Sequence, residues 1–216
     1  MPYFKNDDIN VLFIHIPKTG GSSIESYFSL KFNIPLNNQS LYDFINTEHL
    51  LNKNVVIKSS LQHVTYRQII KYSEIFNIDF DNIKIITAVR NPYERLVSDL
   101  FFFKLIGVNS TKEEVFDILN KYLVRSDTDN HNMPQYEFIT NDKGEIIQNI
   151  HILKTESLND KMKNLGYTDF GSHEKRNVNV NKVNYYDYLN NESIELINKF
   201  YHLDFILFNY AKLPVR

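Results

Sequence analysis

Cysteine is absent from the 216-residue chain, which excludes disulfides, Cys-ligated zinc, iron–sulfur clusters and thiol nucleophiles. No apolar run approaches the ~18–20 residues that span a bilayer, so stable membrane insertion is not expected. The segment Met1 to Asp8 lacks a secretory signal peptide's plan. Neither sign of charge dominates: 24 Lys+Arg stand against 26 Asp+Glu, a formal net charge of −2. That balance argues against a bulk-basic nucleic-acid binder and leaves room for a local cationic pocket. Internal repeats and Pro/Gly/Ser-rich linkers are missing too, so residues 1–216 read as one domain with its own core. A reducing compartment is expected.

What the chain does contain is 43% apolar and 14% aromatic residues, with 16 Phe and 14 Tyr. That is enough to exclude global disorder. Asn is scattered throughout, as an AT-rich genome would produce, and the N-x-S/T sequons at Asn38, Asn109 and Asn191 are expected by chance in such a sequence.

Ile9 to His15 is a short, nearly continuous apolar run, the pattern of a strand buried on both faces of a parallel sheet. It feeds Ile16-Pro17-Lys18-Thr19-Gly20-Gly21-Ser22-Ser23 and a helix to about Leu30. Val55–Lys58 reads as a second strand. Tyr66–Phe76 reads as a helix with Ile69, Ile70 and Ile75 inward. Ile83–Val89 is a further strand, followed by a helix with Asn91 as N-cap, Pro92 in its first position and Glu94 closing a capping box. Leu96, Leu100 and Phe103 form that helix's buried stripe. Helices are expected around 112–123, 157–165 and 192–201, with one more strand at Ile150–Leu153. The alternation predicts an α/β fold of three layers, α/β/α, around a central, mostly parallel sheet. Ligands in such folds gather at the carboxyl ends of the strands.

Two segments open from strand ends into helices. In the first, Gly20 and Gly21 let the backbone approach a ligand, and the loop's N–H groups converge at a helix N-terminus, a ready anion site. Ser22 and Ser23 add hydroxyls and Lys18 a mobile cation; the plainer reading is a glycine turn with a Ser22/Glu25 capping box. A nucleoside-triphosphatase loop carries its Lys after the last Gly and needs a magnesium carboxylate nearby. Here Lys18 precedes the glycines, and the strand ending at Val89 delivers Arg90. A cation there points to a second anionic group on the ligand. Ser98 lies about 200° around the helix from Leu96, on the polar side with Asn91 and near Arg95, so Arg90 and Ser98 together can grip one phosphate. A nucleotide with anionic groups at both 5′ and 3′, bound without metal, is 3′-phosphoadenosine-5′-phosphosulfate (PAPS).

His15 to Ser23 and Val89-Arg90-Asn91-Pro92-Tyr93-Glu94-Arg95-Leu96-Val97-Ser98 resemble the two signature segments of the carbohydrate (Golgi-type, family 2) sulfotransferases. Leu61-Gln62-His63-Val64-Thr65-Tyr66 resembles the His-Val-Ser-Tyr stretch of uronyl 2-O-sulfotransferases. His131-Asn132-Met133-Pro134-Gln135 is similar to the family's His-x-x-Pro-Gln element, and Tyr185–Leu189 through Asp204-Phe205 to its C-terminal helix. The resemblance implies a P-loop-like sulfotransferase fold. It also implies that Lys18, Thr19, Gly20, Gly21, Ser22 and Ser23 cradle the 5′-phosphosulfate, that Arg90 and Ser98 hold the 3′-phosphate, and that no metal is required. Lys18 then stabilises the leaving phosphate. Lys175 or Arg176, in a basic loop, is a further contact to the 3′-phosphate on this resemblance, or else a solvated residue. Without anchor, stem or Cys, a cytoplasmic enzyme of bacterial or viral origin is expected rather than a Golgi one.

The acceptor hydroxyl must lose a proton, and a neutral His is suited to take it. His63 is the candidate base, just beyond the expected Val55–Lys58 strand. It matches the second His of the uronyl stretch; Leu61 stands where the first would be, leaving the base unassisted. His131 is the runner-up, or lines the acceptor cleft with Gln135. His15 is assigned to the loop's scaffold, and His49, His151, His173 and His202 to surface or packing. Glu25 and Glu94 read as cap residues, and no His spacing supports a metal motif. The expected partner is a glycan or other hydroxyl acceptor; the sequence names neither the acceptor nor the oligomeric state. A small MgATP-dependent kinase and a non-catalytic nucleotide binder are the competing readings.

Overall fold

The computed structural model describes residues 1–42, 57–173 and 183–215. Strand β1 (Tyr3–Lys5) is followed by β2 (Asn10–Ile14), helix α1 (Gly21–Lys31), α2 (Tyr66–Lys71) and α3 (Ser73–Phe76). Then come β3 (Lys84–Val89), α4 (Pro92–Phe102), α5 (Lys112–Leu123), β4 (Ile150–Lys154), α6 (Leu158–Asn164), α7 (Asn191–Phe200) and α8 (His202–Leu207). The four strands lie in the order β1-β2-β3-β4. β2 runs parallel to β3 (Val11 opposite Lys84, Ile14 opposite Thr87), and β3 parallel to β4 (Ile85 opposite Ile150, Val89 opposite Lys154). β1 pairs antiparallel with β2, Tyr3 facing Leu12, and is an edge the sequence reading did not include.

The apolar run in β2 is continuous because both faces of the sheet are covered. Leu12 and Ile14 point into one core with Ile85, Val89, Leu61, Val64 and Ile69. Val11 and Phe13 point into the other with Ile86, Ala88, Leu153, Ile24 and Phe28. A third apolar cluster joins α4 to α5 and α7 through Leu96, Val97, Leu100, Val115, Leu119 and Ile197. The expected three-layer arrangement with a mostly parallel sheet is what the chain forms.

Several local expectations are corrected. Ile57 and Lys58 are irregular, and the rest of the expected Val55–Lys58 strand falls outside the described residues. The Tyr66–Phe76 helix is broken at Tyr72 into α2 and α3. Ile69 is buried while its neighbour Ile70 is 43% exposed, because residues 100° apart on so short a helix cannot share one narrow contact. Phe103 is the C-cap of α4, not part of its stripe, and is 39% exposed. Asn91 does cap α4, its Oδ1 accepting from the Tyr93 N–H, with Pro92 at the start. Glu94 does not close a box; it receives the guanidinium of Arg90 at 3.1 Å.

Candidate active site

β2 ends at Ile14 and the chain turns through His15–Gly20 into α1. Lys18 and Gly20 both adopt positive φ, 65° and 85°; the second is a conformation glycine takes without penalty. Gly20, not Ser22, is the N-cap, and no acid lies in the first turn of the helix, so the expected Ser22/Glu25 box is not formed. Gly21 is required for space: a Cβ there would meet His15 Nε2 at 2.7 Å. Thr19 is fully buried and donates to the Ile16 carbonyl at 2.8 Å, so its hydroxyl fixes the loop from inside. The single hydroxyl proton of Thr155, just after β4, lies between the Thr19 carbonyl at 2.6 Å and that of Val89 at 3.0 Å, tying the first loop to the ends of β3 and β4.

Arg90 leaves the end of β3. Gln135 brackets its backbone, accepting from the Arg90 N–H at 2.9 Å and donating to its carbonyl at 2.9 Å. Gln135 is itself fully buried, and Asp204 accepts from the Gln135 and Tyr136 amides at 2.8 and 2.9 Å. The Pro-Gln element therefore braces the Arg90 loop, and the expectation that Gln135 lines the acceptor cleft is not met. Burial pushes the Asp204 carboxyl up, against those hydrogen bonds. The Arg90 guanidinium pairs with Glu94 and lies 5.1 Å from the Tyr185 ring centre. Arg95 does not join it on the polar side. It is 2% exposed and donates to the carbonyls of Pro17, Met133 and His131 at 3.0, 3.0 and 2.7 Å, locking the first loop to the 131–133 segment.

The other wall is a row of imidazoles. The rings of His15 and His63 meet edge to face with centres 5.2 Å apart, and those of His63 and His131 at 4.9 Å. Each Nδ1 is held by a carboxylate: His15 by Glu25, His63 by Asp129 at 2.8 Å, His131 by Asp99 at 2.6 Å. A carboxylate only accepts, so each Nδ1 carries a proton; in a neutral ring the lone pair is then on Nε2. Glu25 is thus the buried partner of His15, not a helix cap. Burial opposes its ionisation, and the adjoining imidazole with Gln62, donating at 2.9 Å, outweighs burial and holds it below the usual range. Burial pushes His63 down to about 4, more than the hydrogen bond to Asp129 restores. His63 is therefore neutral near pH 7. The donor atoms of His63, Asp129 and His131 lie within 4.8 Å of one another, close enough for one ion to draw them together, a grouping no sequence spacing announced.

Lys18 links the two walls. Its ammonium sits 4.1 Å over the Phe102 ring, which stacks on His131 at 5.6 Å and 10°. Burial pulls the Lys18 pKa down, with Arg90 adding to that and Asp99 opposing it. One cleft of about 1130 Å³ is lined by Lys18, Gly20, Gly21, Ser22, Ser23, His63, Arg90, Ser98 and His131. Of the expected loop and 3′-phosphate residues in the described parts of the chain, Thr19 alone is absent from its lining. Lys175 and Arg176 lie outside the described residues, as does His49. His151 and His202 are exposed, and His173 reaches Ser26 at 3.2 Å. Sequence reasoning missed Asp129, Asp99 and Phe102. The two carboxylates sit 66 and 32 residues from the imidazoles they hold, beyond any local spacing rule.

No helix among the described residues is long and apolar enough to cross a membrane. No curated protein and no solved structure matches the chain. A family model described as the sulfotransferase family matches residues 1–211, and the chain belongs to that family.

Proposed function

We propose that the protein moves a sulfuryl group from PAPS to a hydroxyl of a carbohydrate acceptor, with Lys18 and His63 as its catalytic residues. The observation that carries this reading is the opening of a glycine-started helix N-terminus, Lys18, Arg90 and a neutral His63 onto one cleft. Family membership supports sulfuryl transfer in general; the donor, the acceptor and the roles below are inferred. The first loop suits a 5′-phosphosulfate, because backbone N–H groups at a helix start favour an anion. Arg90 and Ser98 suit a 3′-phosphate, with Glu94 holding the guanidinium in place beforehand.

In the reaction the acceptor O–H gives its proton to His63 Nε2 as its oxygen bonds to sulfur. The bond from sulfur to the bridging oxygen breaks, and that electron pair stays on the leaving phosphate. Charge grows on this phosphate only as the bond breaks, so an ammonium beside it lowers the transition state more than the ground state. Lys18 is poised for this role. Partly desolvated and resting on an aromatic face, it gains more from a phosphate dianion than a hydrated lysine would.

The test is calorimetry in EDTA with 3′-phosphoadenosine 5′-phosphate against 5′-AMP, followed by sulfate transfer from PAPS to a glycan panel. Much tighter binding of the bisphosphate, and label on at least one glycan, are expected. Equal affinity for the two nucleotides would remove the 3′-phosphate site at Arg90 and Ser98.

A further inference from the structure

We propose that Asp129 is the positioning residue of the His63 base, and that the turn carrying it is held in an unfavourable conformation for this purpose. The inference rests on the reading of His63 as base and adds a residue that the sequence did not single out. Asp129 and Asn130 are consecutive non-glycine residues at positive φ, 52° and 63°, a region that L side chains rarely adopt in succession. Such backbone persists where surrounding contacts over-determine it, and it concentrates at functional sites. The contacts here divide between His63 and Ser60, three residues before it. Asp129 Oδ2 accepts from His63 Nδ1 at 2.8 Å and from the Ser60 hydroxyl at 2.9 Å, while Oδ1 accepts from the Ser60 N–H at 2.5 Å. Asn130 donates to the His63 carbonyl at 2.9 Å. The turn therefore grips His63 from two sides, at ring and backbone.

The arrangement does two things for a base. It fixes the tautomer with the proton on Nδ1, leaving Nε2 free, and it places a negative charge where the imidazolium's positive charge appears after proton capture. The other groups facing His63 do not supply that charge. His15 is committed to Glu25, His131 to Asp99, and the Met1 amino group binds the Leu61 carbonyl. Burial opposes the ionisation of Asp129, and hydrogen bonds from His63 and Ser60 outweigh it. The carboxylate is thus charged and half sheltered beside the ring.

Asp129→Gly separates conformation from chemistry, because glycine accepts φ near 52° without strain. This variant is expected to fold, with a lower Tm from the lost bonds to Ser60 and His63, and to bind 3′-phosphoadenosine 5′-phosphate unchanged. Its kcat is expected to fall about 10²–10⁴-fold, with the acidic limb of its pH–rate profile moved to lower pH and formate restoring part of the rate. Asp129→Asn, which keeps the shape and loses the charge, is expected to fall similarly. Imidazole ¹⁵N shifts are expected to show His63 protonated at Nδ1 in wild type and in mixed tautomers in Asp129→Gly. A dead His63→Ala beside an Asp129→Gly of wild-type kcat, acidic limb and tautomer overturns this proposal and leaves His63 as the base. A His63→Ala that keeps its rate overturns both.

Discussion

The two walls of the cleft are built in opposite ways. The loop wall is local: nine residues from His15 to Ser23 form one loop and one helix start, and the anion site proposed there would use largely backbone N–H groups. The imidazole wall is assembled from positions 15, 63, 99, 129 and 131, with each Nδ1 held by a carboxylate from another position in the chain. A backbone site needs glycines and a helix, which one sequence window specifies. A proton-handling site needs a chosen tautomer and a chosen desolvation, which only a packed interior supplies.

That contrast divides the expected phenotypes. The largest effect belongs to the chemistry itself. His63→Ala should lose about 10²–10⁴ in turnover with nucleotide affinity near wild type, whereas Lys18→Ala should lose about 10²–10³ and weaken the nucleotide as well. Paired steady-state kinetics and calorimetry check both. A His63 variant with impaired nucleotide binding would break the division, since it would make the two walls one energetic unit. Arg90→Ala comes next. It should weaken 3′-phosphoadenosine 5′-phosphate by about 1.5–3 kcal/mol, the range for a charged hydrogen bond, and leave 5′-AMP nearly untouched; titration of both nucleotides measures the difference.

The smallest expected effect is on stability against pH, and it sharpens the contrast because it isolates one imidazole, His63. His63 is pushed from 6.5 down to about 4 in the folded chain. Between those values the unfolded state binds a proton that the folded state does not, so this group's contribution to stability falls as pH drops through the window and is constant above it. By pH 5 the loss from this group is about 2 kcal/mol, or about 4–8 °C in Tm for a chain of this size. Thermal unfolding of wild type and His63→Gln from pH 7.5 to 5 checks it, with a flatter profile expected for the variant.

Legibility in the sequence followed the same line. The buried run at β2, the Asn91-Pro92 start of α4 and the strand at Ile150 were readable because each is decided within a few residues. Ile70 was misplaced because a helix of six residues buries only one narrow face, and Phe103 because the helix ends before it. Glu94 and Glu25 each matched a local cap pattern and were taken instead by a cation and an imidazole.

By itself the sequence determined the layered α/β fold, the family, the glycine loop before α1 and the cationic residue at the end of β3. These depend on periodicity, turn chemistry and contiguous motifs, all short-range properties of the chain. Only the tertiary structure decided that Arg95 turns inward to brace the loops, that Gln135 holds Arg90 instead of a ligand, and that His63 is anything but unassisted. Those outcomes depend on which buried donor meets which acceptor across tens of residues. An unpaired polar group in the interior is too costly to leave, so the pairing is settled by the packing of the whole chain.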